Sequence, residues 1–254
     1  MADGMPPAPP SSSLTIPELT DGVVRLRAHR FGDVPRIVEQ CLDPESILWT
    51  TVPLGYDEAM GRDWVETIHQ DWGVDGANRL WAIEAVADDD TEHAHEFLGT
   101  IDVRPQGGGL GAIGFGLHPE GRGRHLMTGA LRLATQWWFD QGGVRMFWDA
   151  NAGNFASWRV AWACGFTFQG VIPQGLDHRG TVVDAWRASV GRDDDLTRPV
   201  KPWREQVVLE GEEKVGTAGI ALARATAAEL AVDAAGFVAF GADDVEATDF
   251  GDTL

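Results

Sequence analysis

The chain has 254 residues, 44% of them hydrophobic, which is enough for a packed core. Its formal net charge of −19 argues against nucleic acid as a partner, because no basic stripe could offset that field. Cysteine occurs only as Cys41 and Cys164, which favours a reducing, cytoplasmic compartment over a disulfide framework. No apolar run approaches the roughly 20 residues that span a bilayer, so no membrane partner is expected.

The two ends of the chain differ in composition from its middle. Residues 1–13, with four prolines and a serine run, predict a disordered leader, and residues 14–190 predict one domain. Residues 191–204, with three consecutive aspartates and two prolines, predict a linker. Residues 205–254 carry eleven acidic and two basic side chains and form an acidic, alanine-rich extension. We expect residues 220–240 to dock on the domain or on a neighbouring subunit, which allows a homodimer.

The first half of the domain alternates between strand and helix patterns. Residues 23–27 alternate as a strand should, and Asp33 is placed to cap the following helix. The loop at 88–96 contains His93 and His95 but no firm third ligand, so no metal site is expected. The other elements predicted here are a short helix or turn beginning at 43, a helix over 58–72, and a hairpin of strands at 80–86 and 97–103.

The most informative stretch is residues 114–128, which read G-F-G-L-H-P-E-G-R-G-R-H-L-M-T. His118-Pro119 prevents a smooth passage from strand into helix, because the residue before proline is pushed towards extended geometry. The predicted strand therefore ends here. A helix is predicted from Leu126, where apolar residues begin to recur with a period of 3.6. The G-R-G-R of residues 121–124 lies between them, where free helical N–H groups bind phosphate. A glycine-rich loop with solvated arginines is the alternative.

A second pattern follows directly. Residues 144–148 predict another strand, and residues 151–166 read N-A-G-N-F-A-S-W-R-V-A-W-A-C-G-F. The order strand, glycine-rich loop, helix, strand, G-N-F-A-S, helix and G-F resembles the GNAT superfamily of N-acetyltransferases. Within it the sequence is similar to the RimJ/RimL branch, which acetylates N-terminal amines of ribosomal proteins. The resemblance extends from near residue 20 to near residue 190, and D-A-W at 184–186 matches the last strand of that branch.

This resemblance implies an α+β fold. A central, mostly antiparallel twisted sheet with splayed central strands is flanked by helices, and here a C-terminal extension is added. The sheet is expected to finish with strands at 168–171 and 182–188, joined by a hairpin loop at 173–180. The implied activity is transfer of an acetyl group from acetyl-CoA to a primary amine, on a protein N-terminus or a small molecule, by direct attack. A catalytically silent acyl-CoA-binding domain is the alternative.

The resemblance also assigns roles to particular residues. Asn154 matches the asparagine that holds the pantetheine arm, and Ser157 matches the serine that can protonate the leaving thiolate. Capping of the following helix is the local alternative for both. Trp49 and Tyr56 lie in the segment that forms one wall of the acceptor cleft, with ordinary packing as their alternative. Coenzyme A is expected to contact Phe115, Leu117, Arg122, Gly123, Arg124, His125, Leu126, Met127 and Thr128.

The sequence departs from the family pattern at three positions. The phosphate-loop frame normally begins with Gln or Arg and ends with Gly or Ala, but here its ends are Glu120 and His125. The branch often places a glutamate, acting as general base, where this chain has Ala112. Glu84 and Asp102 lie on neighbouring predicted strands and are the candidates to replace that base, directly or through water.

Overall fold

The computed structural model describes residues 16–86 and 95–203. The predicted leader, His93 and the extension at 205–254, with its predicted docking and dimer contact, lie outside the described residues. Within the described ranges, no helix is both long and apolar enough to cross a membrane.

The architecture is one eight-stranded sheet with helices on both faces, which confirms the predicted α+β class. The strands are β1 (Leu19–Thr20), β2 (Val24–Arg27), β3 (Arg79–Ala85), β4 (Gly99–Gly107), β5 (Leu110–Leu117), β6 (Arg145–Asn151), β7 (Thr167–His178) and β8 (Thr181–Gly191). Their order in the sheet is β1-β2-β3-β4-β5-β6-β8-β7, and among these described strands only β5 and β6 pair in parallel. The helices are α1 (Val34–Leu42), α2 (Pro44–Trp49), α3 (Glu58–Asp71), α4 (Leu126–Asp140) and α5 (Phe155–Ala163).

The sheet separates two hydrophobic clusters. On the face that we call the α4 face, Ile101 and Ile113 pack with α4 and α5, and their side chains are almost completely buried. On the opposite face, the α1 face, Phe97 and Ala82 pack with α1 and α3. Because side chains alternate along a strand, Asp102 and Gly114 belong to the α1 face.

The two central strands separate part of the way along their length. Four Cα pairs join β5 to β6, and the last is Ile113 with Trp148. Beyond this point β5 stays paired with β4 as far as Leu117, and β6 stays paired with β8 as far as Asn151. We call the gap between residues 114–117 and 149–151 the splay. It confirms the predicted splaying of the central strands.

The end of the sheet differs from the prediction. The prediction of a hairpin loop at 173–180 is wrong, because β7 continues to His178 and the turn consists of Arg179 and Gly180. Both turn residues have positive φ, +52° and +81°, as a tight two-residue hairpin requires. Pro173 is accommodated because β7 is an edge strand and its pairing with β8 shifts register between Ile172 and Leu176, where Pro173 lies.

The segment predicted to be a linker packs against the domain over its described part. Arg132 of α4 donates to the Leu196 carbonyl at 2.9 Å, and the Trp162 indole N–H of α5 donates to the Lys201 carbonyl at 2.8 Å. The Trp162 and Trp203 rings meet edge to face, 5.1 Å apart. Residues 192–203 therefore form a strap across the outer surface of α4 and α5.

A buried charge cluster connects β2, β3 and the start of α1. Arg27, 1% exposed, pairs with Asp33 at 2.7 Å and with Glu84, which is fully buried. Asp33 occupies the N-cap position, yet the capping prediction is wrong, because its carboxylate faces Arg27 and the Arg30 N–H instead. Burial opposes ionisation of Glu84, but the hydrogen bond and charge of Arg27 outweigh burial and lower its pKa.

We expect Arg27→Met to destabilise the protein by about 3–5 kcal/mol at pH 7, because Glu84 would be left buried without its counter-charge. Because the pKa of Glu84 is lower in the folded than in the unfolded protein, its ion pair stabilises the wild type fully at pH values above the unfolded-state pKa. This stabilisation is lost as the pH falls through the folded-state pKa of Glu84. The deficit of the variant should therefore shrink in acid. Urea unfolding at several pH values measures both effects. Arg62→Met, in an exposed pair, is the control and should cost under about 1 kcal/mol; equal losses would contradict the prediction.

Candidate active site

The loop before α4 presents a row of main-chain donors. A short turn at Pro119–Gly121 ends β5, and α4 begins at Leu126. Within the described chain, no main-chain hydrogen bond occupies the N–H groups of residues 123–127. Gly123 has φ +71°, a conformation that glycine adopts without strain. Unpaired N–H groups at the start of a 15-residue helix form an anion site, so this loop fits a phosphate.

His125 occupies the position where the family prefers glycine or alanine, and the backbone explains the preference for glycine. Its φ is +57°, in the left-handed region, where histidine is one of the better-tolerated side chains. The side chain is exposed and makes no capping hydrogen bond to α4. His125 therefore leaves the donor row uncovered.

The two loop arginines have different surroundings. Arg122 forms an ion pair with Asp43, the N-cap of α2, and also donates to the Leu117 carbonyl at 3.3 Å. Burial raises the pKa of Asp43, but hydrogen bonds from Arg122 and Ser46 outweigh burial and hold it below its usual value. Arg124 is exposed and contacts only the Glu120 carbonyl, at 3.4 Å, among the described residues. Arg122 therefore fastens the loop to α2, whereas Arg124 is the cation that can reach a ligand.

The start of α5 places two predicted residues beside the splay. The Asn154 side-chain oxygen accepts the Ser157 N–H at 3.1 Å, so Asn154 does cap the helix. Its Nδ2 has no hydrogen-bond partner among the described residues. Ser157 Oγ accepts the Trp148 indole N–H at 3.0 Å, which leaves its own hydrogen free to donate. Since Trp148 belongs to the last β5–β6 pair, Ser157 lies at the apex of the splay on the α4 face.

Asp102 reaches the same level of the sheet from the α1 face. It is paired with Gly114, the first β5 residue beyond the last β5–β6 pair, and its Oδ1 accepts the Gly114 N–H at 3.0 Å. A Cβ at Gly114 would lie only 3.0 Å from both carboxylate oxygens, so only glycine leaves room for this carboxylate. Burial raises the pKa of Asp102, and the charge of Arg104 opposes the rise. With 26% of its side chain exposed, Asp102 remains accessible to a ligand.

The structure separates the two carboxylates that the sequence left as alternatives. The side chain of Glu84 is fully buried, and its oxygens pair with Arg25 and Arg27. It lies on β3, two strands from β5, and its pKa is lowered, despite burial, by Arg27. Glu84 is thus engaged in the charge cluster, away from the splay, whereas Asp102 lies at its apex.

The two predicted acceptor contacts also differ. Tyr56 is 8% exposed and packs in the smaller core, where burial raises its pKa to about 12. Its position agrees with the packing alternative. Trp49 lies half-buried at the end of α2, and its indole N–H donates to Glu45 at 3.0 Å. A substrate role for Trp49 stays a prediction.

One feature beside the splay was not predicted from the sequence. Arg179, at the tip of the β7–β8 hairpin, donates to the main-chain carbonyls of Ile47 at 2.7 Å and Val52 at 3.0 Å. The neighbouring His178 ring contacts the Asn151 side chain at 3.1 Å, and burial lowers the pKa of His178. The tip is thus fastened to the segment after α2. The acceptors are main-chain carbonyls more than 120 positions away in the sequence, so no pattern of side chains could have predicted these hydrogen bonds.

The described residues contain no group of three or more side chains that could hold a metal ion. The arrangement instead offers an anion site at the loop, a gap between two strands, a hydroxyl donor on one face and a carboxylate on the other. These parts suit group transfer between a phosphate-bearing donor, bound through the gap, and a nucleophile on the α1 face.

Comparisons with known proteins agree with this geometry. The model of the acetyltransferase (GNAT) domain family matches residues 24–167, more than half of the chain. Similar solved structures include Mycobacterium smegmatis RimJ in complex with CoA-disulfide, at 18% identity over 69% of this chain and 86% of that chain, with a TM-score of 0.57. The RimL ribosomal L7/L12 alpha-N-protein acetyltransferase in complex with coenzyme A has 19% identity over 69% and 97%, with a TM-score of 0.58. The microcin C7 self-immunity acetyltransferase MccE in complex with acetyl-CoA and AMP has 17% identity over 68% and 93%, with a TM-score of 0.58. At these identities the likeness concerns the fold, and no curated protein matches the chain.

We expect Gly123→Val to weaken coenzyme A binding more than Arg124→Ala does. Valine is strained at φ +71° and would distort the donor row, whereas one exposed cation is worth about 1 kcal/mol at physiological salt. Titration calorimetry with coenzyme A at low and high salt measures both variants, and only the Arg124→Ala loss should fade as salt rises. Equal effects, or a larger loss for Arg124→Ala, would show that main-chain donors do not hold the phosphates.

Proposed function

The chain belongs to the GNAT family of acetyltransferases, and from this premise we propose that it transfers the acetyl group of acetyl-CoA to a primary amine by direct attack on the thioester. One observation carries the proposal. A carboxylate, Asp102, and a hydroxyl donor, Ser157, lie at the apex of the splay on opposite faces of the sheet. An amine that attacks from one face and a thiolate that leaves on the other need groups in these two places.

The donor side of the proposal rests on unpaired main chain. The coenzyme phosphates bind the N–H groups of residues 123–127, and the pantetheine arm passes into the splay. There β5 has no partner along residues 114–117 on the side facing β6, so its main-chain groups at Phe115 and the Leu117 N–H are available to the arm. The Leu117 carbonyl already accepts a hydrogen bond from Arg122 at 3.3 Å. Asn154 contributes its unoccupied Nδ2 to the same arm.

On the acceptor side Asp102 is the general base. It removes a proton from the amine as the new C–N bond forms, and its raised pKa makes it a stronger base than an exposed aspartate. When the tetrahedral intermediate collapses, the C–S bond breaks and Ser157 donates its hydroxyl hydrogen to the departing thiolate. Solvent returns a proton to Ser157, and Asp102 releases to solvent the proton that it took from the amine. Asp102 thereby takes the role that a glutamate at the position of Ala112 often has in the RimJ/RimL branch. Asp102 lies on β4, next to the β5 strand of Ala112, and on the same face of the sheet.

The acceptor proposed here is a protein N-terminus or a small-molecule amine. Likeness to RimJ and RimL supports the first, and the net charge of −19 favours a cationic acceptor of either kind. The proposal also places the enzyme in the cytoplasm, in keeping with two cysteines that are free.

A thiol-release assay with acetyl-CoA tests the function directly. A panel of peptides with free N-termini, polyamines and aminoglycoside-type amines serves as acceptors, and we expect thiol release that depends on at least one of them. If calorimetry shows acetyl-CoA binding but no amine releases thiol, the chain is the silent acyl-CoA-binding domain that Ala112 alone would favour.

We expect Asp102→Asn to lower kcat/KM by about 10²- to 10⁴-fold at neutral pH, the usual contribution of a general base. The wild-type rate should rise as the pH passes the raised pKa of Asp102, because the base acts only when deprotonated. The variant should lack this rise and follow only the unprotonated fraction of the amine. Asp63→Asn, on the exposed face of α3, is the control. A variant with the full rate and an unchanged pH profile would contradict the role.

We expect Ser157→Ala to lower kcat with little change in acetyl-CoA affinity, because the serine acts on the leaving group. Asn154→Ala should weaken binding and also cost about 1 kcal/mol of stability through the lost cap. Asn154→Asp separates these effects, since it keeps a capping oxygen but loses the Nδ2 donor, so it should fold normally and still bind acetyl-CoA poorly. Stopped-flow kinetics, calorimetry and thermal melting measure the three quantities. Full turnover by Ser157→Ala would exclude its role as the acid.

A further inference from the structure

Gln40 of α1 lies over the splay on the α1 face. An ideal Cβ built on Gly116 would be 3.4 Å from its Nε2, so the carboxamide rests against the glycine surface of β5. Gly116 lies in the part of β5 that has no partner on the β6 side. It follows Gly114 by two residues and therefore lies on the same face of the sheet. The Gln40 carboxamide and the Asp102 carboxylate thus cover consecutive glycines on one side of the gap.

The side-chain oxygen of Gln40 is buried and has no hydrogen-bond partner among the described residues. A buried acceptor without a donor is costly, and such groups in native structures call for an explanation. Arg36, one turn earlier on α1, cannot supply the donor, because its guanidinium is engaged by the Phe97 carbonyl and by Glu120. A ligand that brings an N–H group to this point would satisfy the oxygen.

We propose that Gln40 is an acceptor-positioning residue whose side-chain oxygen accepts a hydrogen bond from the attacking amine. The inference rests on the function proposed above and deepens it. A neutral primary amine has two N–H hydrogens and one lone pair. Asp102 takes one hydrogen as its proton, Gln40 holds the second, and the lone pair forms the C–N bond.

This division of hydrogens sets the substrate class. A secondary amine or a hydroxyl group has only one hydrogen, which Asp102 must remove, so neither can bond to Gln40 as well. The oxygen of Gln40 would then stay buried and unpaired, which is the situation that discriminates most strongly between analogues. Gln40 therefore selects primary amines over N-methylated amines and over alcohols.

The test compares Gln40→Met with the wild-type enzyme, using the best peptide acceptor from the thiol-release panel and the same peptide with an N-methylated terminus. Methionine keeps the length of the side chain but removes the carboxamide. We expect the acceptor KM for the primary amine to rise about 10-fold, as for loss of one hydrogen bond, and the preference over the N-methyl peptide to shrink by the same factor. The Kd of acetyl-CoA should not change.

Two further variants complete the design. Gln40→Glu keeps an oxygen acceptor and should restore most of the acceptor affinity, whereas a packing role alone would not distinguish it from Gln40→Met. Gln136→Met, on the exposed part of α4 where Gln136 bonds Asp140, should leave every parameter unchanged.

The outcomes separate the two proposals. A wild-type enzyme that releases thiol, together with a Gln40→Met variant of unchanged acceptor KM, overturns the role of Gln40 alone. A rise in the acetyl-CoA Kd with an unchanged acceptor KM also overturns it and assigns the carboxamide to the pantetheine arm. A wild-type chain that releases no thiol with any amine overturns the proposed function, and this inference with it.

Discussion

The separation of β5 from β6 beyond Ile113 and Trp148 is the constraint on which the rest of the site depends. Hydrogen bonds that would close a sheet are missing along residues 114–117 and 149–151, so the strands keep unpaired main-chain groups inside a folded domain. Such groups are costly unless they find partners. The bonds on the outer sides, to β4 and β8, hold each strand in place, and a ligand can therefore enter the gap without disturbing the sheet.

Glycine on β5 gives the gap its chemistry. Gly114 and Gly116 have no side chains to fill the α1 face, and the space is taken by groups from neighbouring elements, Asp102 from β4 and Gln40 from α1. On the α4 face the same strand presents Ile113 and Phe115 to the core. One face of β5 therefore stabilises the fold, while the other is left to polar groups that can bind a substrate.

Electrostatics explain how an acidic chain can bind a polyanion. The net charge of −19 repels a phosphate-bearing ligand at long range, and of the two arginines beside Gly123 one, Arg122, is held by Asp43. In the proposed binding mode the attraction therefore comes chiefly from short-range main-chain donors at the start of α4, which act irrespective of the global field, with Arg124 as an exposed cation beside them. On the acceptor side the same global field favours cationic amines.

The sequence by itself indicated the class of fold and the family, through the resemblance carried by residues 114–128 and 151–166, and it predicted a phosphate site before α4 and roles for Asn154 and Ser157. The patterns that carry the resemblance are local, such as alternation along a strand, helical periodicity, or glycines and capping residues at fixed spacing. The tertiary structure decided which carboxylate lies at the splay, because Glu84 and Asp102 give the same signal on neighbouring strands and only the pairing of Asp102 with Gly114 separates them. It also decided that Arg122 binds Asp43, that Arg179 fastens the hairpin tip, and that Gln40 lies over Gly116. These contacts join residues more than 70 positions apart, and local periodicity contains no information about which distant elements pack together.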